Sequence, residues 1–566
     1  MLTLRLFLRT YGVCRVAALG VLSFALCALL SDSAFSAEKG LIARNLLIDD
    51  VKQLAYILET AHPDPYLNGG GKIAFHQRLR DVLASIPDTG MTATDFLDLL
   101  RPLVASLGDS HTMLRSPTAE GQSSPGLPLE LKIIEQGLYV AGVYGHAHKH
   151  LLGARLVAIE GIALPELLRR QSRDRGLENF YTRLAILSRT LRNNRRDIRR
   201  LVPEWQDSAS IRISLEFPSG KRDEYSLPLV VAAPDSLVRP ETARAIPSTA
   251  HSDVVYEFLD SRHMTALLVI ADMMRYREGC EGWYAKGLSE AQAFTQEAYR
   301  RFHGDSLVPE DKDSLLAAIP AATDAFVNLV VDMKRAGTKT LIVDLRENTG
   351  GNSVMLNFLI YFLYGDSTMK NLRDSYSVKK LSPLYFNVYA NDSLAKINEG
   401  RAIRLAADDY VFEDEPLNPG ESITATPDSA AWSGMLRETP TFRQVYQRGT
   451  YGGYYQPEKI VVLCSPFTFS SGFNLMAALY KLGALLVGTP SAQAGNNFGD
   501  SLPFALEHSG INGFVSHKRV ITFPDDAEKG NCLKPDVLLT YKKLASFGFD
   551  PNAELRLALE TLKNAK

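Results

Sequence analysis

The chain has 566 residues, which is more than one hydrophobic core usually organises, so we expect about two to four domains. Hydrophobic residues make up 46% and charged residues 22%, a composition typical of a folded globular protein. The 62 Lys and Arg residues are balanced by 64 Asp and Glu residues, for a net charge of -2. This balance argues against a general nucleic-acid-binding protein, because such a protein needs a basic surplus to displace phosphate counterions.

The N-terminus has the pattern of an export signal. Arginines are followed by an apolar run from residue 16 to residue 30 and then by the small residues Ala34 and Ser36, which fit cleavage after Ser36. We therefore predict a signal peptide over residues 1–36 and a periplasmic or secreted protein. The run has about 15 residues, fewer than the ~20 that span a bilayer. An uncleaved segment that anchors the chain in a membrane is the alternative.

Cysteine usage predicts no disulfide framework and no metal-ligand pair. After signal cleavage the chain keeps Cys280, Cys464 and Cys532, an odd number at wide spacing, so at most one bridge can form. Cys464 ends an apolar run and is expected to be a buried, unreactive side chain.

Residues 41–120 are predicted to form an N-terminal helical domain. Leu47, Val51, Leu54 and Leu58 recur at helical spacing, and two more helical stretches follow before residue 108.

Residues 125–172 change to a β-rich pattern. Alternating apolar residues predict short strands, and the segment 153–161 leads through a tight turn into a short helix. A strand, turn and helix of this size resemble a PDZ module, whose groove binds an extended peptide as an added strand. The alternative is a β-rich spacer without a peptide-binding role.

Residues 173–247 are predicted to connect this module to the rest of the chain. An arginine-rich helix over 173–205 is followed by strands at 211–215 and 225–227 and then by a linker. The basic helix face could hold a peptide carboxylate, but a solvated face is the commoner explanation.

The largest domain is predicted over residues 250–545. Its apolar runs have the character of parallel strands buried on both faces: 267–270, 341–344, 461–463 and 484–487. Strands that alternate with helices indicate an α/β layered fold. An insertion at about 366–456 is predicted only as a cap or side extension near the active site.

A strand that ends in a glycine-rich turn is the first segment that can carry chemistry. The strand from Leu341 runs into Gly350 and Gly351, where glycines permit positive φ angles and let N–H groups face open space. Such donors suit an oxyanion hole. Alone, the pattern is common among strand-to-helix turns.

The second segment places a serine between a strand and a helix. Ser470 and Ser471 follow the strand that ends at Cys464 and precede a helical stretch. A serine at such a turn is exposed, and the N–H of the next residue points where an oxyanion would sit. The alternative is that both serines only cap the helix.

The third segment is the turn after the last N-terminal helix, where His111 follows Ser110. A neutral imidazole is the usual base that activates a serine hydroxyl, although a lone loop histidine is more often a surface group.

In their order along the chain, the three segments contain LGDSHT at 107–112, DLRENTGG at 344–351 and TFSS at 468–471, and LLVGTP follows at 485–490. Together these motifs resemble those of S41 serine peptidases, the family of C-terminal-processing (tail-specific) and tricorn-type peptidases. The resemblance covers most of residues 41–545. It implies a multi-domain α/β protein with an N-terminal helical region, a PDZ-like module and an α/β catalytic domain of the ClpP/crotonase type.

The resemblance also implies roles. Ser470 matches the nucleophile, with Ser471 as the nearest rival. The N–H of Ser471 and one from Gly350 or Gly351 would form the oxyanion hole.

Two versions of the catalytic base occur in the family. One uses a lysine about 25 residues after the serine, but the matching segment 488–497 contains no lysine. The tricorn-like version takes its base from a Ser-His pair, which matches Ser110 and His111, and a late glutamate orients the histidine through a further serine. Glu528 lies near the expected place, and the neighbouring aspartates at 525 and 526 compete with it.

The resemblance implies a peptidase that acts on a peptide or an unfolded protein through an acyl-enzyme, without a metal or an organic cofactor, and the N-terminal pattern predicts that it is exported. The alternative is a catalytically inactive protein on the same scaffold that binds peptides or a small apolar ligand. The sequence leaves the substrate and the oligomeric state open.

Overall fold

The computed structural model describes residues 40–116, 124–304, 306–365, 375–412, 435–449 and 453–564. The predicted signal peptide over 1–36 and parts of the predicted insertion at 366–456 lie outside these residues.

The helices are numbered in chain order. They are α1 (Arg44–Ala61), α2 (Gly71–Ser85), α3 (Ala93–Ala105), α4 (Leu164–Gln171), α5 (Phe180–Asn193), α6 (Arg195–Leu201), α7 (Arg277–Ala285), α8 (Ala291–His303), α9 (Lys312–Ala318), α10 (Ala322–Ala336), α11 (Val354–Tyr364), α12 (Pro383–Val388), α13 (Leu394–Ile397), α14 (Pro440–Arg448), α15 (Ser471–Lys481), α16 (Ala527–Asn531), α17 (Tyr541–Ser546) and α18 (Ala553–Asn564).

The strands are numbered in the same way. They are β1 (Met113–Arg115), β2 (Leu129–Ile134), β3 (Gly137–Tyr144), β4 (Arg155–Ile159), β5 (Ile162–Ala163), β6 (Ser210–Glu216), β7 (Arg222–Pro228), β8 (Leu237–Val238), β9 (Val254–Phe258), β10 (Thr265–Ile270), β11 (Thr340–Asp344), β12 (Tyr376–Lys380), β13 (Tyr410–Phe412), β14 (Lys459–Cys464), β15 (Leu485–Gly488), β16 (Asn496–Ala505), β17 (Asn512–Ile521) and β18 (Val537–Leu538).

A six-stranded sheet forms the centre of the predicted catalytic domain, in the order β18-β15-β14-β11-β10-β9. All neighbours are parallel except β9, which pairs antiparallel with β10 at the edge. Helices α10, α11 and α15 cover one face of the sheet, and α17 and α18 cover the other. The four apolar runs are therefore parallel strands buried on both faces, and the predicted α/β fold class is confirmed.

A seven-stranded sheet crosses the predicted boundary between residues 172 and 173. Its main path is β2-β3-β4-β6-β7, and β8 pairs with β3, so the predicted connector supplies three strands (β6, β7 and β8) to the sheet of the predicted PDZ-like module. Helices α4 and α5 and the buried Trp205 pack in one core with these strands. The single helix predicted over 173–205 is two helices, because the chain breaks at Asn194, whose side chain caps α6 by accepting from the N–H of Asp197.

A five-stranded sheet joins the N-terminal helices to the predicted catalytic domain. In the long hairpin β16–β17, strand β17 pairs with β16 along one edge and with β1 and β12 at opposite ends of its other edge. The apolar side chains of the hairpin share a core with α1, α2 and α3. The sequence patterns did not predict this hairpin. Its pairing with β1, which begins two residues after His111, brings the N-terminal turn to the predicted catalytic domain.

One described segment, Lys312–Ala336, is long and apolar enough to cross a membrane, and half of its most apolar stretch is buried inside the fold. It consists of two helices, α9 and α10, and α10 places Phe326, Leu329 and Val330 in the central core. This burial is typical of a core helix.

The three cysteines of the described chain are free, and Cys464 is buried as predicted.

Candidate active site

The turn between β14 and α15 is tied to the glycine-rich turn that follows β11. The Thr468 hydroxyl donates to the Leu345 carbonyl at 2.8 Å, and the Ser465 hydroxyl donates to the Arg346 carbonyl at 2.5 Å. The N–H of Phe469 donates to the Asn348 carbonyl at 2.9 Å. These bonds hold the two predicted catalytic turns against each other.

Ser470 has the backbone conformation of a strained turn residue, with φ 52° and ψ -123°. A non-glycine residue with positive φ persists only where its surroundings enforce it. Its N–H donates to Oε1 of Gln493 at 2.5 Å. Its hydroxyl does not cap α15 and has no hydrogen-bond partner among the described residues, so the helix-cap alternative does not hold for Ser470.

Ser471, the rival serine, has a hydroxyl that is already engaged. It donates to the Gly351 carbonyl at 2.6 Å and lies 2.8 Å from the Ser353 hydroxyl. Of the two hydroxyl groups, that of Ser470 is the one available to a substrate.

The glycine turn can exist only with glycines. Gly350 has φ +105°, and a Cβ there would lie 2.5 Å from the Ser470 Cβ. Gly351 has φ +139°, and a Cβ there would lie 2.2 Å from the backbone of Met273. Of the two glycines predicted to supply an oxyanion-hole donor, Gly350 has an N–H that is already engaged, because it donates to Oδ1 of Asn348 at 2.9 Å. Within the described ranges, the N–H groups of Gly351 and Ser471 have no acceptor, which leaves them available to an oxyanion.

Buried ionic contacts fix the strand that leads into this turn. The Arg346 guanidinium contacts Asp344 at 2.6 Å and Glu554 of α18 at 3.0 Å, and all three side chains are at most 8% exposed. The base of the glycine turn is thereby anchored to the C-terminal helix.

His111 lies in a turn organised by Asp109, whose side chain is fully buried. Oδ1 of Asp109 accepts the N–H of His111 at 2.8 Å, and Oδ2 accepts the hydroxyls of Thr112 at 2.5 Å and Ser516 at 2.7 Å. The same Oδ2 lies 3.3 Å from Nε2 of His62. Burial opposes ionisation, but contact with His62, followed by His111 and Thr112, holds the pKa of Asp109 well below its usual range.

The His111 ring is positioned by Phe469 and faces two carboxylates. It stacks on Phe469 with ring centroids 4.8 Å apart. Its Nδ1 lies 3.7 Å from Oε1 of Glu178 and 3.9 Å from Oδ1 of Asp109, and it makes no hydrogen bond within the described chain. Nor is a His111–Ser470 hydrogen bond found there. Catalytic hydrogen bonds are often long before substrate binds.

The surroundings of His111 raise the pKa of its imidazole. Burial alone would lower the pKa, but the facing Glu178, followed by Asp109 and Asp500, raises it above the ordinary value of 6.5. The imidazole is therefore a stronger base than a free histidine.

Neither Ser110 nor Glu528 makes a side-chain hydrogen bond to the His111 ring among the described residues. The Ser110 hydroxyl donates to the Gly176 carbonyl at 3.3 Å, and it is the Ser110 N–H that meets a glutamate, Oε1 of Glu178 at 3.3 Å. Glu528 is exposed on α16 and does not line the cleft that contains His111. Asp526 caps that helix by accepting the N–H of Lys529 at 2.9 Å. Glu528 and Asp526 therefore lie outside the cleft that contains His111. The glutamate that lies beside the His111 ring is Glu178 and not the predicted Glu528.

The residues brought together line one cleft of about 1030 Å³. Its lining includes His111, Ser470, Ser471, Gly350, Gly351 and Gln493. Lys518 also lines it, but its Nζ is 3.2 Å from Asp500.

One group of side chains in the described residues has the composition of a metal site. Its potential ligand atoms, from Asp109, His111 and Glu178, lie within 4.8 Å of one another. However, the carboxylate oxygens of Asp109 and Glu178 already accept hydrogen bonds from hydroxyl and backbone donors. Each of these carboxylate oxygens is therefore already engaged within the described chain.

The sequence patterns missed Glu178, Asp109 and Gln493 as members of the site. Asp109 lies within the LGDSHT motif, and its place next to Ser110 and His111 was the available signal. Glu178 and Gln493 carry no local signal, because each reaches the site through the tertiary fold.

Residues 313–515 match the model of peptidase family S41. The fold is similar to the crystal structure of mature CPAF, with 13% identity and a TM-score of 0.52 over 90% of this chain and 96% of that chain. Mature CPAF complexed with lactacystin has 13% identity and a TM-score of 0.52 over 92% of this chain and 98% of that chain. The photosystem II D1 C-terminal processing protease has 15% identity and a TM-score of 0.38 over 88% of this chain and 94% of that chain. None of the curated proteins compared with the chain matches it.

Proposed function

Because residues 313–515 carry a domain of peptidase family S41, the chain is a serine-type hydrolase, and we propose that it cleaves peptide bonds through an acyl-enzyme on Ser470. One observation carries this proposal. Ser470 is held at φ 52° with an available hydroxyl, beside the Gly350–Gly351 turn and in the same cleft as His111.

The mechanism that fits these residues is acyl transfer. His111 removes the proton from the Ser470 hydroxyl, and the oxygen attacks a peptide carbonyl. The N–H groups of Gly351 and Ser471 stabilise the oxyanion, helped by the N-terminal dipole of α15. His111 then gives the proton to the leaving amine, and water releases the acyl group by the same route in reverse.

The cleft supports a peptide or an unfolded segment as substrate. Its volume of about 1030 Å³ lies just above the roughly 300–1,000 Å³ typical of small-molecule pockets. Apolar surface from Phe467, Phe469 and Pro466 adjoins Ser470, so side chains next to the cut bond would be bound by apolar contact.

Export is the second part of the proposal. The charged start, the apolar run at 16–30 and the small residues before position 37 support a cleaved signal and a periplasmic or secreted location. Cell fractionation, with N-terminal sequencing of the mature chain, tests this part separately.

A peptide-library digest read by mass spectrometry tests the activity. The wild type is expected to produce defined fragments that Ser470→Ala and His111→Ala do not produce. Lys481→Gln serves as the control, because Nζ of Lys481 donates to the Thr522 carbonyl at 2.7 Å at the far end of α15. The same fragments from Ser470→Ala would refute the proposal. Peptide binding by a wild type that cuts nothing would favour the binding-protein alternative.

A further inference from the structure

We propose that Glu178 is the residue that positions His111 and stabilises its protonated form during catalysis. This inference rests on the proposed function, because it assigns a partner to the proposed base. Glu178 lies in the loop before α5, in a part of the chain distant from both His111 and Ser470 in sequence.

The loop that carries Glu178 is fixed to the catalytic domain. The Asn179 side chain caps α5 by accepting the N–H of Thr182 at 3.1 Å, while its amide donates to the Ser491 carbonyl at 3.1 Å. The Thr182 hydroxyl donates to the Ala492 carbonyl at 2.5 Å. The backbone of Glu178 is therefore set relative to the loop that begins after Pro490.

Each oxygen of the Glu178 carboxylate has a backbone donor. Oε1 accepts the N–H of Ser110 at 3.3 Å and faces Nδ1 of His111 at 3.7 Å, and Oε2 accepts the N–H of Ala494 at 2.9 Å. The side chain is 4% exposed. Backbone N–H donors orient a carboxylate without cancelling its negative charge, so Glu178 presents a fixed negative oxygen to the imidazole.

Asp109 is the other carboxylate near Nδ1, and its contacts suit a different task. Its Oδ1 lies farther from Nδ1, at 3.9 Å, and accepts a hydrogen bond from the backbone N–H of His111. Its Oδ2 is shared by Thr112, Ser516 and His62. Asp109 thus holds the turn, while Glu178 contacts the ring from a separate element.

The charged groups that face His111 come from three directions. Asp109 belongs to its own turn, Glu178 to the loop before α5, and Asp500 to β16, where Lys518 of β17 pairs with it at 3.2 Å. Arg175 lines the same cleft. Among the groups that raise the pKa of His111, Glu178 contributes most. Removing the charge of Glu178 should therefore lower that pKa.

The step requires no group beyond the proposed mechanism. The proton of the Ser470 hydroxyl moves to Nε2 of His111 while Nδ1 keeps its own proton and points it at Glu178. The carboxylate stabilises the imidazolium and takes up no proton. It also fixes the tautomer that leaves the Nε2 lone pair free.

The test is the pH profile of kcat/KM for Glu178→Gln on a peptide that the wild type cuts. We expect a loss of roughly 10²- to 10³-fold, within the range for general-base catalysis, and an acidic midpoint shifted to lower pH. Glu178→Asp, which keeps the charge but withdraws it by one methylene, should give a smaller loss and a smaller shift. Glu224→Gln, on the exposed surface of β7, is the control, and Glu528→Gln tests the rival glutamate.

A merely structural role for Glu178 would lower the melting temperature and the rate without moving the pH midpoint, and that result would overturn the inference. So would a shift of the midpoint in Glu528→Gln instead. If Glu178→Gln does not fold, the decisive variant is Glu178→Asp, in which a wild-type rate and midpoint would equally overturn the inference. Full activity of His111→Ala would refute the proposed function itself. An inactive His111→Ala beside a wild-type profile in Glu178→Gln would refute only the role of Glu178.

Discussion

The imidazole of His111 stacks on the ring of Phe469, with centroids 4.8 Å apart and planes 28° from parallel. Phe469 directly precedes Ser470, so the proposed base and the proposed nucleophile are joined through one aromatic contact. Since His111 comes from the N-terminal region and Ser470 from the predicted catalytic domain, this contact connects two parts of the chain that are far apart in sequence.

We expect Phe469→Leu to reduce kcat/KM by about 2- to 10-fold, because an aromatic pair contributes about 0.5–1.5 kcal/mol beyond simple burial. Steady-state kinetics on a cleaved peptide measure the effect. Phe469→Tyr keeps the ring and should remain close to the wild type. Equal rates for Phe469→Leu and the wild type would show that the stacking does not align the base.

Substitutions of Ser470 should separate backbone strain from chemistry. Ser470→Ala and Ser470→Gly both remove the hydroxyl and should both be inactive. At φ 52°, glycine relieves strain that alanine retains, so Ser470→Gly should be more stable than Ser470→Ala by about 1 kcal/mol. Chemical denaturation of the two variants measures the difference. A more stable alanine variant would contradict the strained turn.

Gly350→Ala should disrupt the site although it removes no functional group. The added Cβ would lie 2.5 Å from the Ser470 Cβ and 2.9 Å from the Phe469 carbonyl oxygen, at φ +105°. We expect loss of activity and a cost of about 1–3 kcal/mol or more in unfolding free energy, measured by denaturation and peptide cleavage. Gly449→Ala, where a Cβ would meet nothing within 4 Å, is a control with a positive φ of its own. Comparable losses in both variants would indicate a general φ effect.

Activity should fall as the solution is acidified, with a midpoint above pH 6.5, because the pKa of His111 is raised and only the neutral imidazole can accept a proton.

The stability that protonated His111 contributes has the opposite dependence on pH. It is fully present below the unfolded pKa of about 6.5 and is lost as the pH rises through the folded pKa.

Melting temperatures of the wild type and His111→Asn at about pH 6 and about pH 9 test this linkage. The advantage of the wild type should be larger at the lower pH. A pH-independent difference, or a rate midpoint below 6.5, would contradict the raised pKa.

Strong local patterns predicted much of the fold. The parallel strands were recognisable as apolar runs because both of their faces are buried, as at Ile342 and Val461. The turns at Gly350 and Ser470 were visible because glycine pairs and the serine turn are local features.

The rest depends on tertiary contacts that no local period encodes. The hairpin β16–β17 was missed because polar residues and glycines interrupt its alternation of apolar and polar side chains. Its partner β1 also lies far earlier in the chain: Thr112, next to β1, contacts Ser516 across a separation of 404 residues. Glu178 lies 68 residues from Ser110, which it contacts, and its loop has the composition of an ordinary helix start. The expectation for Glu528 came from the order of motifs alone, and the outward-facing helix α16 removed it from the site.

The most direct test of the acyl-enzyme proposal is intact-mass analysis after reaction with a serine-reactive fluorophosphonate probe, followed by peptide mapping. We expect one adduct on Ser470 in the wild type, none in Ser470→Ala, and strongly slowed labelling in His111→Ala. Ser471→Ala, whose hydroxyl only supports the glycine turn, should still be labelled at Ser470. An adduct on Ser471, or a wild type that stays unlabelled while folded, would contradict the proposed mechanism.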